Sequence, residues 1–409
     1  MALYKREKYL KKIRGFYQAA DIIKVITGVR RCGKSSLMMT IAEELTDNGI
    51  PSENIIYIDL EQKEYLKVHS ADRLEQLIDK KSTATGMKYL FIDEVQNIKG
   101  FEELINAYRA SGDYSIFITG SNSYLLSGEI MTKLTGRYIE FELFTLSFDE
   151  YIGMKTFFGK SINPNLLIEL NSFITEGGFP RSILLDDNTD KMTYSESVIS
   201  EIFEKDIRRR VKIKDRDSFD TVRKFIINNF GATTSINSLH NALRQHGHLI
   251  SRATVTKYIQ ILLDAKIIYE CSRFDMKSKK SLSGDKKFYI ADLSFYFSQN
   301  TDNHINYGPV LENIVYFYAK SHGYAISVGR ISKLECDFIL RDYNSEYAYI
   351  QVAYTILQNA DTENREYRSL EAIHDNYPKY VMTTDYLIQH RSGIRHVNLM
   401  EFMTHNERF

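Results

Sequence analysis

Apolar residues along the chain come in two spacings. The first is a short unbroken run bounded by small or charged residues: Val25-Ile26-Thr27, Ile55-Ile56-Tyr57-Ile58, Tyr89-Leu90-Phe91-Ile92 and Ile116-Phe117-Ile118. Runs this short, rich in β-branched and aromatic residues, predict strands buried on both faces. Between them lie stretches with helical spacing, at 36–45, 71–81 and 100–111, and a charged helix is expected over residues 4–18, with Tyr9, Leu10, Ile13 and Phe16 on one face. Strands and helices in alternation predict a parallel sheet with crossover helices. Tyr138 to Leu143 alternates faces and predicts one more strand.

The pattern then changes. Residues 147–200 read as mostly helical. Between Ser218 and Tyr269 the spacing predicts three helices. Phe219, Val222, Phe225 and Ile226 mark the first, Ser235 to Leu243 the second, and a third follows the cap residue Ser251, after the glycine turn His246-Gly247-His248. Two strands, Ile267 to Cys271 and Lys286 to Ile290, flank a basic tip at Lys277-Ser278-Lys279-Lys280. Helix-turn-helix followed by a hairpin is the outline of a winged helix. Ser251, Arg252, Thr254, Lys257 and Tyr258 would face a DNA major groove, with Lys277, Lys279 and Lys280 near phosphates. Packing against protein is the other use of such a module. Residues 205–214 carry a basic excess that suits either a solvated helix face or a contact with phosphates or a second subunit.

With 409 residues the chain has material for two or three domains. Its 53 basic and 53 acidic residues cancel, so bulk charge does not make it a polyanion binder, although nine Lys/Arg against four Asp/Glu between Ser251 and Ala291 give one local patch. The three cysteines are far apart, which argues against a zinc site or a disulfide framework and fits a reducing cytoplasm. His240, His246 and His248 lack carboxylates at ligand spacing. No apolar run approaches the roughly 20 residues of a membrane span, and no apolar leader is expected at the charged N-terminus.

Candidate chemistry concentrates at the first strand. Gly28-Val29-Arg30-Arg31-Cys32-Gly33-Lys34-Ser35, followed by Ser36, completes G-x-x-x-x-G-K-[ST] between a strand and a helix. That context is a phosphate-binding loop: backbone N–H groups and a helix N-terminus converge on phosphate, Lys34 reaches the β- and γ-phosphates, and Ser35 holds Mg2+. The strand ending in Asp93-Glu94 would deliver Asp93 to the metal and Glu94 to an attacking water. Ser121 or Asn122, after the next strand, would sense the γ-phosphate or simply cap a helix. Arg137 is either a transition-state cation, in its own site or a neighbour's, or a solvated surface arginine.

Taken in order, the phosphate loop, Asp93-Glu94, Thr119-Gly120-Ser121, Gly136-Arg137 and Leu146 to Tyr151 resemble the bacterial and archaeal AAA-type ATPases that carry an Arg-Arg dipeptide, here Arg30-Arg31, inside the loop. Glu176-Gly177-Gly178-Phe179-Pro180 is similar to that family's lid motif, whose Gly-x-Pro approaches adenine in related ATPases; this implies a nucleotide contact at Pro180. Phe288 to Asp292 and Glu312-Asn313 resemble its C-terminal domain of uncharacterised function. The resemblance covers almost the whole chain and implies ATP and Mg2+ as ligands and ATP hydrolysis as the activity.

At the C-terminal end, Glu312 on a helix, Asp337 on one strand and Gln351 on the next outline a restriction-endonuclease-like fold, whose acids hold Mg2+ and whose lysine polarises water. Here alanine (Ala353) takes the lysine position and Gln351 the expected glutamate, so the site reads as degenerate unless a displaced lysine, Lys333 or Lys379, serves. Glu335 and Asp337 could equally end a strand.

The expectation is therefore an α/β protein: a P-loop NTPase parallel sheet over 1–150, a helical lid and basic connector over 151–215, a winged helix over 216–300 and a nuclease-like α/β domain over 301–409. The function expected is a cytoplasmic Mg2+-dependent ATPase coupled to DNA, possible as a homo-oligomer and without membrane contact. The alternatives are an ATP-dependent switch that binds a protein partner and an ATP-gated nuclease.

Overall fold

The computed structural model describes residues 2–120, 134, 136–208, 213, 215–247, 250–278, 280–300 and 305–409. The chain divides into two compact units, Met1–Phe144 with Asp264–Lys266, and Thr145–Leu263 with Ile267–Phe409.

In the first unit, strands β1 (Ile23–Thr27), β2 (Ile55–Asp59), β3 (Lys88–Asp93), β4 (Tyr114–Thr119) and β5 (Tyr138–Glu142) form a sheet in the order β2-β3-β4-β1-β5. Every neighbouring pair is parallel. All residues of β1 and β4 are buried, as unbroken apolar runs require in a sheet covered on both faces. Ile56, Ile58, Leu90, Ile92, Ile116 and Ile118 form the middle of one core. The helices α1 (Glu7–Ile13), α2 (Lys34–Asp47), α3 (Ala71–Lys81) and α4 (Phe101–Ser111) supply the layers. The expected helix over 4–18 is shorter, because Arg14–Phe16 tightens into a 3-10 turn.

The second unit carries the helices Phe148–Phe157, Leu166–Glu176 and Asn188–Glu201, then Arg216–Asn228, Ile236–Gln245 and Arg252–Asp264. Its strands β6 (Thr233–Thr234), β7 (Ile268–Asp275), β8 (Lys280–Ile290), β9 (Ala325–Ile331), β10 (Leu334–Arg341), β11 (Tyr347–Val352), β12 (Lys379–Thr383), β13 (His390–Arg391) and β14 (Ile394–Asn398) make one nine-stranded sheet, ordered β13-β14-β12-β11-β10-β9-β7-β8-β6. The β7–β8 hairpin joins the C-terminal strands through parallel pairing of Arg273 with Val328 and Asp275 with Arg330. The expected 300/301 boundary thus falls within a region whose flanks share a sheet.

One buried lysine ties the N-terminal segment to the first sheet. Lys24, fully buried on β1, places Nζ within hydrogen-bond distance of Ala19 O (2.6 Å), Ile22 O (3.1 Å) and Ser115 Oγ (2.8 Å). Burial pushes its ammonium from 10.5 down to about 7. Between those values the unfolded chain binds the proton and the folded chain does not, so stability rises with pH across this window. Relative to Lys24→Met, the wild type should gain stability from pH 7 to 9.5 by at most about 1.4 kcal/mol per pH unit. Urea unfolding of both proteins across that range checks this, and a difference independent of pH would refute it.

Candidate functional site

The loop between β1 and α2 is shaped by close approach. Gly28 has φ +141°, and a Cβ there would lie 2.1 Å from Leu143 O and 2.8 Å from Cys32 Sγ, so no side chain fits. Gly33, at φ 105°, starts α2, and Arg31 between them takes φ 68°, a strained value for a side-chain-bearing residue. Cys32 is fully buried, with its thiol pKa raised by burial, and its N–H donates to Val29 O (3.2 Å). Its carbonyl is held by Arg6 Nη1 (3.2 Å), which also reaches Phe144 O (2.8 Å). Arg30 Nη1 lies 3.8 Å from Glu61 Oε1. Lys34 is buried, and its Nζ donates to the loop's own carbonyls, Gly28 O (3.0 Å) and Val29 O (3.3 Å). The loop thus cradles its cation where phosphate oxygens would exchange for the carbonyls.

Asp93 ends β3, 2% exposed. Burial raises its pKa, while hydrogen bonds from the Ser35 and Thr119 hydroxyls pull it back. Register brings Thr119 there: Ile92 pairs with Ile118, so the next residues of β3 and β4 end side by side. Thr119 Oγ1 donates to Asp93 Oδ1 and accepts the Glu94 N–H (3.1 Å). Glu94 takes a left-handed backbone, φ 58° and ψ 46°, which turns the chain out of the strand. The Tyr57 hydroxyl lies against Ser35 O (3.4 Å). A serine hydroxyl and a carboxylate already in contact are the hard oxygen donors Mg2+ takes, so Ser35 and Asp93 fit that ion. When bound, it would neutralise phosphate charge.

The structure therefore brings Lys34, Ser35, Asp93 and Glu94 together and adds Thr119. Ser121 and Asn122 lie outside the described residues. Arg137 is exposed and directly precedes β5, whose Tyr138 pairs with Ile23 at the start of β1. The phosphate loop leaves the other end of β1, roughly 16 Å away at about 3.3 Å per residue, so the structure does not bring Arg137 together with Lys34 and Asp93.

In the second unit, Pro180 opens the 3-10 turn Pro180–Leu184, and the glycines before it are locked. Gly178 N–H donates to Asp292 Oδ2 (2.8 Å), Gly178 O accepts from Leu146 N (2.7 Å), and a Cβ at Gly178 would lie 2.4 Å from Leu146 O. Asp292, buried, also takes Ser294 N–H (3.0 Å) and Ser294 Oγ (2.6 Å). The two segments read only as resemblances in the sequence are one hydrogen-bonded joint.

The acids at the C-terminal end are closed off by a lysine the sequence reading missed. Lys287, buried on β8, sits 2.9 Å from Glu312 Oε2 and 3.1 Å from Glu335 Oε1. Tyr289 donates to Glu312 (2.9 Å), Arg273 pairs with Glu335 (2.9 Å), and buried Asp337 accepts Val352 N–H (2.8 Å). Burial and Glu312 push the Asp337 carboxyl well up. Gln351 accepts from Ser369 Oγ (3.1 Å). Neither expected substitute lysine reaches the cluster: Lys333 is exposed in the β9–β10 turn, and Lys379 is held by Asp375 O (2.7 Å). Among the described residues no three acids, histidines or cysteines are grouped to hold a metal ion. His240 instead contacts Ile250 O (3.0 Å).

On the Arg252–Asp264 helix, Arg252 and Lys257 are exposed and Thr254 is half-buried, bonded to Ser251 Oγ (3.0 Å). Tyr258, expected on the outer face, is buried one turn beyond Val255, its hydroxyl on Asp215 O (3.1 Å). Lys277 is exposed; Lys279 and the side chain of Lys280 lie outside the described residues, as do His248 and most of 209–214.

Residues 20–152 match the family model of an AAA domain, and residues 168–302 that of a domain of unknown function (DUF8612). The chain is 36% identical to an uncharacterised protein of Haemophilus influenzae over 95% of both chains. It is 31% identical to an uncharacterised protein of Methanocaldococcus jannaschii, over 85% of this chain and 78% of that one. A Walker-type ATPase of Pyrococcus abyssi shares the fold, with a TM-score of 0.50 at 15% identity over 72% of this chain and 95% of that one. No helix among the described residues is long and apolar enough to cross a membrane.

Thr119→Val keeps the shape but leaves the Asp93 carboxylate and the Glu94 amide without the hydroxyl they share. ATP turnover should fall about tenfold or more, with nucleotide still bound. Turnover and equilibrium nucleotide binding of the variant check this.

Proposed function

The chain belongs to one family with these two relatives and matches an AAA domain over residues 20–152, and from that premise we propose a Mg2+-dependent ATPase that hydrolyses ATP to ADP and phosphate and couples hydrolysis to DNA. The observation that carries the reading is the chain of contacts from Ser35 through Asp93 and Thr119 to the backbone of Glu94. It joins the metal-binding end of the phosphate loop to the residue that would activate water. In this reading the loop amides from Gly28 to Ser36 and Lys34 hold phosphates, Ser35 and Asp93 hold Mg2+, and Glu94 takes the water proton. Ser121 or Asn122 senses the γ-phosphate, and Pro180 contacts the base.

Arg137, exposed at the amino edge of the sheet, suits a neighbouring subunit's nucleotide. We read the helices from Arg216 to Asp264 with the β7–β8 hairpin as a winged helix that presents Arg252, Thr254, Lys257 and Lys277, with Lys279 and Lys280, to DNA. The C-terminal α/β part is nuclease-like in outline and does not cut in this reading, because Gln351 and Ala353 stand where the metal-binding glutamate and the lysine would be.

ATP hydrolysis by wild type and Lys34→Ala, with and without duplex, single-stranded and branched DNA, tests the central reading. Wild-type turnover that rises with one DNA form, beside a silent variant, supports it; turnover indifferent to DNA removes the coupling and favours a switch that binds protein. Hydrolysis per chain should rise with protein concentration in the wild type and lose that dependence in Arg137→Ala. A flat wild-type profile from dilute monomer upward would show that Arg137 does not act between subunits. Plasmid incubated with the protein and Mg2+ should stay uncut.

A further inference from the structure

Gln96 lies two residues beyond the carboxylate that activates water, in the 3-10 turn Val95–Asn97. The turn holds it firmly. Val95 and Ile98 on either side are fully buried, and the Asn97 and Ile98 N–H groups close on Glu94 O and Val95 O, each at 3.0 Å. From this position Gln96 Nε2 donates to Glu94 Oε2. The other end of the same amide, Oε1, is buried and accepts no hydrogen bond among the described residues. Buried amide oxygens are nearly always satisfied, so an orphaned one beside a reactive carboxylate marks a place where a donor is received.

The rest of the turn leaves Glu94 dependent on this contact. Its backbone is left-handed, and its N–H is pinned to Thr119 Oγ1, so only the side-chain torsions remain free. The amide fixes those torsions through one carboxylate oxygen and leaves the second oxygen for a proton. An attacking water has two O–H groups. A base accepts one of them, and a water held at one point rotates out of line unless the other also finds an acceptor.

We propose that Gln96 is that second acceptor, so that Glu94 and Gln96 together orient the attacking water; the proposal rests on the ATPase reading above. In the step, the water oxygen bonds to the γ-phosphorus and the bond from that phosphorus to the bridging oxygen of ADP breaks. One water proton passes to Glu94, and Gln96 exchanges none. The amide thus has two tasks, to anchor the base through Nε2 and to align the nucleophile through Oε1.

Full-length wild type, Gln96→Ala, Gln96→Leu and Glu94→Gln are compared by steady-state ATP hydrolysis and by equilibrium binding of a non-hydrolysable ATP analogue with Mg2+. Both Gln96 variants should lose about tenfold or more in kcat, with KM and analogue affinity within about twofold of the wild type. Intact analogue binding shows that the variants are folded. If Gln96→Ala turns over within about twofold of the wild type, or if the loss falls on KM and analogue affinity instead, Gln96 only packs the turn and the proposal fails while the ATPase reading stands. A wild type that does not turn over, whatever Glu94→Gln does, overturns both.

Discussion

A carboxylate taken out of water resists ionisation, and the nucleotide site depends on keeping one such group charged. Asp93 is buried at the end of a central strand, and the hydroxyls of Ser35 and Thr119 offset the burial. Those hydroxyls come from different places, one from the first turn of α2 and the other from the end of β4. The carboxylate therefore reports whether loop and sheet are in register. The position of β4 between β1 and β3 makes this possible, since it puts a hydroxyl-bearing strand end directly beside Asp93. The phosphate loop is braced from its other side by Arg6, so both walls of the site are held before any ligand arrives.

The second unit uses buried charge differently. Asp292 accepts backbone and hydroxyl donors from Gly178 and Ser294, and Lys287 is shared between Glu312 and Glu335. Gly178 reaches Asp292 across 114 residues, and Lys287 meets acids from a later helix and strand. Removing both acids would leave the Lys287 ammonium buried alone, a larger cost than the pair's own contribution to stability. Such contacts select one packing of the helices, the hairpin and the C-terminal strands.

Local features of the sequence located most of the first unit. Buried parallel strands need unbroken apolar runs, and a phosphate loop needs its glycines and lysine at fixed spacing, so β1 to β4, Lys34, Ser35, Asp93 and Glu94 were legible. The full strand order is not legible, because it is decided by which crossover packs best; the motif Thr119-Gly120-Ser121 points to this strand end, and only the register of Ile92 with Ile118 singles out the Thr119 hydroxyl. Lys286 and Lys287 illustrate the same limit. As neighbours in a strand they point to opposite faces, and only the pairing with distant strands shows that the first meets Glu270 near the surface and the second is buried among acids. Tyr258 falls inside rather than outside because one turn of helix separates it from Val255, and the buried stripe is wider than the spacing of the aliphatic residues alone suggests.

The nine-stranded sheet carries a consequence for how the chain is made. Strand β7 is complete on one side once β8 emerges, but its other edge waits for β9, which follows a whole helix later. During synthesis the hairpin therefore exposes an open row of N–H and C=O groups, the kind of edge that invites pairing with another chain. The finished sheet avoids this at both ends, where β6 and β13 are only two residues long. A chain stopped after the hairpin would keep the hazard permanently. The C-terminal strands thus serve the hairpin as a built-in guard against aggregation, whatever else they do.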